Sequence, residues 1–209
     1  MTIIYLIRHG ESMKNSSRIV QRENHEGDNI LTPKGQAQAE AVASELASVP
    51  FSHIFTSPIQ RAVMTAEIVS APRAIQPIIF PQLREKHKGD IEHMTVPEHL
   101  SSYGDWDSLS EPERWMAKLV PSEESMGEVY VRAQSVLREL AALYPVDTIA
   151  CVSHGGVMRT VYTKLAGKTL KDMWKFDNCG YMVLDVSGGQ IDLHEAHRVS
   201  LIDRSTYVK

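Results

Sequence analysis

Cysteine is scarce: Cys151 and Cys179 are the two in a chain of 209 residues. That is too few for a disulfide framework, and no CxxC or tight Cys/His set suggests a structural zinc site. Both read as small core residues in buried strands. Long apolar runs are missing too. None approaches the roughly 20 residues of a membrane span. The apolar start from Met1 to Ile7 stops at Arg8-His9-Gly10, too short for a signal peptide and without a cleavage site. Nine methionines and no export signal point to a reducing cytoplasm. Basic charge is not in excess: 22 Lys and Arg stand against 26 Asp and Glu, a net charge of −4. A surface made to hold nucleic acid or an anionic membrane needs the opposite balance. Repeats and low-complexity stretches are absent. What remains, 43% apolar and 23% charged residues, is the balance of a globular protein, and the length suits one domain, residues 1–209.

The order of elements is an alternation. Thr2 to Ile7 is a continuous apolar run, as in a strand covered on both faces. Thr32-Pro33 opens a helix, Thr as N-cap and Pro at the first position; Ala37, Ala41, Val42, Leu46 and Val49 give it one stripe up to Pro50. His53 to Thr56 is a short strand. Ser57 caps the next helix, which runs to about Ser70. Residues 88–122, rich in Asp and Glu, read as a cap insertion of loop and short helix, its carboxylates from Asp90 to Glu124 a solvated face. Ser125 to Tyr144 is a long amphipathic helix with Val129, Val136, Leu137, Leu140 and Leu143 on its stripe. Thr148 to Ser153 is another buried strand and Gly155 to Leu165 a helix. Tyr181 to Val186 and Gln190 to Ala196 form a closing hairpin at Gly188-Gly189. Strands alternating with helices predict an α/β fold, three layers α/β/α around a mostly parallel sheet.

Ligands of such a sheet bind at the carboxyl ends of its strands. After the first strand come Arg8, His9, Gly10, Glu11 and Ser12; after the second, Ser57 and then Arg61; after the later one, His154, Gly155 and Gly156. Two histidines and two arginines therefore converge on one edge.

These segments resemble the histidine phosphatase superfamily, the phosphoglycerate-mutase-like proteins. Leu6-Ile7-Arg8-His9-Gly10-Glu11-Ser12 is similar to its Arg-His-Gly signature, and Asn15 stands at the position of its phosphate-loop asparagine. Leu31 to Ala37 resembles the family's helix opening, and Ser57 to Ala66 the segment of the second arginine. Leu83-Arg84-Glu85-Lys86-His87 resembles the segment of the acid, and Val152 to Gly156 the turn of the second histidine. The resemblance implies that His9 takes a phosphoryl group as phosphohistidine and that Glu85 is the general acid and then base. It also implies that Arg8, Asn15, Arg61 and His154 bind phosphate, His154 as a third donor. A neutral imidazole can attack because its ordinary pKa is about 6.5. Guanidinium forks match phosphoryl oxygens, and with so much positive charge supplied by side chains no metal and no cofactor is required. To hold its proton, Glu85 needs a raised pKa.

Other readings are structural. Glu11 is a salt bridge or cap. His87 and His93 are candidates for the pocket lining, while His25, His53 and His99 are surface or packing residues. His194-Glu195-Ala196-His197 lacks the His-Glu-x-x-His spacing of a metal site. Ser153 lacks the Gly-x-Ser-x-Gly elbow of a serine hydrolase. The expected function is a metal-independent phosphoric monoester hydrolase of the histidine acid phosphatase type. It would act on a small phosphorylated metabolite and release inorganic phosphate, with no nucleic-acid or membrane partner. A phosphoglycerate-type mutase and a catalytically silent phospho-binding scaffold are the alternatives. Lys88 stands where the mutases tend to place a tyrosine, which favours the hydrolase. The strand from Gln190 to Ala196 is a candidate edge through which a homodimer would pair.

Overall fold

The computed structural model describes residues 1–13, 29–89 and 106–202. Asn15, His25, His93 and His99 lie outside the described residues, as does the stretch 90–105 of the expected insertion.

Within the described residues one sheet of six strands runs in the order β3-β2-β4-β1-β5-β6. Its parallel part is β1 (Thr2–Arg8), β2 (His53–Thr56), β3 (Ile78–Ile79) and β4 (Thr148–Ser153). β5 (Met173–Ser187) and β6 (Gln190–Ile202) add an antiparallel hairpin beside β1. β5 pairs with β1 and β6 lies at the sheet edge. The fold is α/β.

Alternate side chains of the central strands enter different cores, because successive strand residues face opposite ways. Ile4 and Leu6 of β1 and Ile149 and Cys151 of β4 join one cluster. That cluster is closed by α4 (Met126–Leu143) through Val129, Val136, Leu137 and Leu140 and by α5 (Gly155–Leu165) through Val157, Met158 and Val161. Ile7, Ala150 and Val152 face the other way. There α1 (Pro33–Glu45) supplies Ala39, Val42 and Ala43, and α2 (Gln60–Ser70) supplies Ala62, Ala66 and Val69. Each fully buried Leu, Ile or Val contributes roughly 1.5–3 kcal/mol, so the layering is fixed by these stripes. The short α3 (Glu111–Met116) packs on α4, with Trp115 edge-on to Tyr130 at 6.0 Å.

Several element readings need correction. The buried face of α1 is Gly35, Ala39, Val42 and Ala43, whereas Ala37 and Ala41 are exposed. On α4, Leu143 is 60% exposed, and Met126 and Ala133 are the buried members that the stripe lacked. The α2 cap residue is Ile59, with no side-chain bond, not Ser57; the Ser57 amide instead continues the strand ladder to the Val152 carbonyl at 3.0 Å. β5 starts eight residues before Tyr181, at Met173, and is held there by pairing with β6 rather than by strand propensity in its Asp177-Asn178-Cys179-Gly180 stretch. The ladder is irregular at that stretch, and Cys179 and Arg198 have φ of 58° and 55°.

Register decides what meets at the carboxyl edge. Arg8 aligns with Ser153, and Thr56 with Val152. The next residues out, His9, Ser57 and His154, therefore emerge side by side from three adjacent strands.

Candidate active site

The backbone at His9-Gly10 is held at all four polar groups, as buried amides require. His9 N–H donates to the Ser153 carbonyl at 3.1 Å. The His9 carbonyl accepts from Asn178 Nδ2 at 3.0 Å and, at 3.4 Å, from the Cys179 amide. Gly10 N–H donates to Thr65 Oγ1 at 3.0 Å, and the Gly10 carbonyl faces His9 Nδ1 at 2.7 Å. Thr65 in turn donates to the Arg61 carbonyl at 2.7 Å, tying α2 to this turn. Gly10 admits no side chain, since a Cβ there would overlap the Gly35 carbonyl at the start of α1.

His9 is 2% exposed, Arg61 1% and His154 fully buried. Arg61 joins the two rings: its Nε is 3.0 Å from His9 Nε2 and its Nη2 is 3.1 Å from His154 Nδ1. A guanidinium has donors only, so each facing ring nitrogen is an acceptor. That assigns the tautomers. His9 carries its proton on Nδ1, donated to Gly10. His154 carries its proton on Nε2, donated to Ser57 Oγ at 2.7 Å. Burial first, then the Arg61 charge, hold both imidazoles well below their ordinary pKa, so both are neutral. Arg61 itself is lowered by burial to about 10 and remains a cation at neutral pH. Arg8 adds its charge to both rings. Its guanidinium donates to the Phe176 carbonyl and packs against Gly155 at the first turn of α5.

The structure therefore brings Arg8, His9, Arg61 and His154 together, and Glu85 joins them. One Glu85 oxygen accepts from the Lys86 amide at 2.8 Å, the other from the Gly156 amide at 3.2 Å. Burial would raise its pKa, but Lys88, the two amides and Arg61 outweigh it and the carboxyl lies below its ordinary value. This corrects the expectation of a raised pKa. Lys88, half-buried, is lowered to about 8, by burial first and then by Lys86. His154, expected as a phosphate donor, directs its one N–H to Ser57 Oγ.

Other residues fall where structure alone explains them. Glu11 pairs with Lys34 at 2.9 Å and accepts from Thr32, as expected. Ser153 Oγ donates to the Leu83 carbonyl at 2.8 Å. His87 Nδ1 accepts from the Gly89 amide at 2.8 Å, closing its own turn. His194 and His197 sit near Asp185 and Glu195 at 3.5 and 3.1 Å, and no group of three or more potential metal ligands occurs among the described residues. The solvated-face reading fails for Glu123 and Glu124. Glu123 forms a buried pair with Lys86 at 2.7 Å, and Glu124 is clasped by arginines. Thr65 and Asn178 were missed as site residues because they act on backbone brought near by the fold, and Ser57, placed at the strand end but read as a cap, meets a ring nitrogen of His154. A surface groove of about 600 Å³ lined by Gln82, Met116, Val131 and Arg132 contains neither imidazole.

Fold and site together define an α/β protein built around a paired-histidine centre. Residues 4–198 match the model of the histidine phosphatase superfamily, branch 1, and the chain belongs to that family. It is similar to a probable phosphoglycerate mutase GpmB of Photorhabdus laumondii, 35% identical over 164 residues that cover 74% of this chain and 70% of that one. It is also similar to a putative phosphoserine phosphatase 2 of Hydrogenobacter thermophilus, 30% identical over 90% of this chain and 91% of that one. Among solved structures, a phosphoserine phosphatase mutant of Entamoeba histolytica in complex with phosphoserine superposes with a TM-score of 0.75 at 25% identity, covering 94% and 97% of the two chains. No helix among the described residues is long and apolar enough to cross a membrane.

Proposed function

We propose that the chain is a metal-independent phosphomonoester hydrolase that works through a phosphohistidine on His9 and acts on a small phosphorylated metabolite. The observation that carries this reading is the Arg61 fork, which presents the lone pair of a neutral, buried His9 Nε2 beside a fixed guanidinium.

A phosphoryl group entering between Arg61 and His9 takes over the guanidinium donors, with Arg8 and the Ser57 hydroxyl as further ones. Such placed charges serve phosphoryl transfer, where positioning does most of the work. His9 Nε2 forms a bond to phosphorus as the ester P–O bond breaks, and the leaving oxygen takes a proton from Glu85. Water then attacks the phosphohistidine and gives its proton to the Glu85 carboxylate; the P–N bond breaks and inorganic phosphate leaves. At rest Glu85 is ionised, so its proton arrives with the substrate. A phosphate monoester keeps one proton up to a second pKa of roughly 6, and its charge beside Glu85 raises the carboxyl's affinity for that proton. We assign the segment 88–122 the role of a cap, supported by α3 on α4 and by Glu123 and Glu124, which bind it to the Glu85 segment.

The test is a burst of labelled enzyme. Wild type quenched during turnover of p-nitrophenyl phosphate in EDTA should carry acid-labile, base-stable phosphate, and His9→Ala should carry none. Label that persists in His9→Ala, or activity lost on chelation, overturns the reading. The mutase alternative is favoured by the 35% identity to a GpmB protein. It would show as isomer exchange of 3-phosphoglycerate outrunning phosphate release when bisphosphoglycerate is present.

A further inference from the structure

Glu85 sits on a segment without regular structure, between the 3-10 turn Pro81–Leu83 and the start of the insertion. Something must fix that backbone if one carboxyl is to meet a leaving oxygen. Five donors converge on a single carboxylate there. Glu124 Oε1 accepts from Arg84 Nη2 at 3.0 Å and Arg132 Nε at 2.9 Å; its Oε2 accepts from Arg84 Nη1 at 2.8 Å, Arg132 Nη2 at 3.0 Å and the His87 amide at 2.8 Å. The Glu124 amide returns a bond to the His87 carbonyl at 2.9 Å. Arg132, on α4, reaches the carbonyls of Gln82, Arg84 and Glu85 at 2.6, 3.0 and 3.4 Å. Burial alone would raise the Glu124 pKa, but the bonds from Arg132 and Arg84 hold it at about 2. The cluster is only partly buried, and Arg132 also adds its charge to the field at His154. A salt-bridge network of this density is more than a surface pair contributes.

We infer that Glu124 and Arg132 are positioning residues for Glu85: they clamp residues 82–87 onto α4 and so fix where its carboxyl stands relative to the leaving oxygen. The inference rests on the reading of Glu85 as proton donor. A misplacement of about 1 Å costs on the order of a hundredfold in such a step, and a leaving group that needs no proton is indifferent to it.

Phenyl and p-nitrophenyl phosphate share a ring and differ in leaving-group basicity, so their rate ratio reports proton donation. Glu124→Gln turns an amide N–H toward the arginine donors; Arg132→Lys keeps the charge and removes the fork. Each should lower kcat for phenyl phosphate at least tenfold more than for p-nitrophenyl phosphate, with KM within threefold. Glu124→Asp should recover part of the loss. In a Glu85→Gln background the same changes should add less than twofold. Equal slowing of both esters by both variants, or a full effect in the Glu85→Gln background, overturns the inference. If Glu85→Gln alone slows both esters equally, Glu85 is not the donor, and it is the underlying reading that fails.

Discussion

His9 keeps its lone pair because protonation would place a third cation beside Arg61 and Arg8 in a buried spot. Its pKa is therefore depressed, by burial first and then by Arg61, His154 and Arg8. As pH falls through about 6.5, where a free histidine charges, this one stays neutral. On the alkaline side the ester loses its own proton near roughly pH 6, and Glu85, held below its ordinary pKa, cannot replace it. For phenyl phosphate, kcat/KM should then rise about threefold from pH 6.5 to 5.5, as the ester takes up its proton, and fall towards tenfold per unit above about 7. Steady-state rates across that range decide it. A decline from pH 6.5 to 5.5 would show an ordinary imidazole and end the account of the neutral pair. Gly156 gives a second residue-scale prediction. A Cβ there would overlap the Glu85 carboxylate that its amide now holds. Gly156→Ala should lower kcat for phenyl phosphate more than tenfold while the melting temperature moves by only a few degrees. A variant as fast as wild type would mean that Glu85 does not work from this position.

Elements differ in how far local sequence specifies them. α1 was legible at Thr32-Pro33 because capping is local, and Thr32 does accept from the Gly35 amide. Its buried face was not, since alanines suit either side of a helix and only the packing of α2 selects Ala39 and Ala43. Ser57 had the look of a cap; β4's ladder takes its amide, and its hydroxyl meets His154 as well as the Ile59 amide two residues on. The first half of β5 was invisible because Asp177, Asn178 and Gly180 disfavour strands, and its reason to exist is the His9 carbonyl it supports. The site divides along the same line. Arg8, His9, Arg61 and His154 could be placed at one edge from residue type and strand order, and Glu85 only from its segment's resemblance to the family, whereas Thr65, Asn178, Glu124 and Arg132 support backbone across tens of residues, a role without local pattern. α4 offers an element-scale test. Ser125, fully buried, accepts from the Glu128 amide at 3.2 Å, and Glu128 returns the bond at 2.7 Å. Ser125→Ala should cost about 1 kcal/mol, a fall in melting temperature of roughly 2–4 °C for a chain of this size. An unchanged melting curve would mean that the helix start is held by tertiary packing alone.

For the molecule as a whole, the paired imidazoles make stability depend on pH in a window that carboxylates leave clear. Native His9 and His154 resist protonation, while the unfolded chain takes those protons near pH 6.5. Below that pH the unfolded state binds more protons, so stability must fall as pH falls. Two such groups give a slope of up to about 2.7 kcal/mol per pH unit. The depressed carboxyls, Glu85 and Glu124, act in the same direction only once unfolded carboxyls begin to protonate, near roughly pH 4.5. The interval from pH 6 to 5 therefore reports the histidines. A total stability of roughly 5–15 kcal/mol leaves little reserve by the end of it. Urea midpoints measured in that interval should drop steeply for wild type. In His9→Asn the slope should be lower by about 1.4 kcal/mol per unit, one proton's share, because the amide does not titrate. If the two slopes coincide, the native imidazole at position 9 already takes its proton at these pH values, and the guanidinium beside it is not holding it neutral.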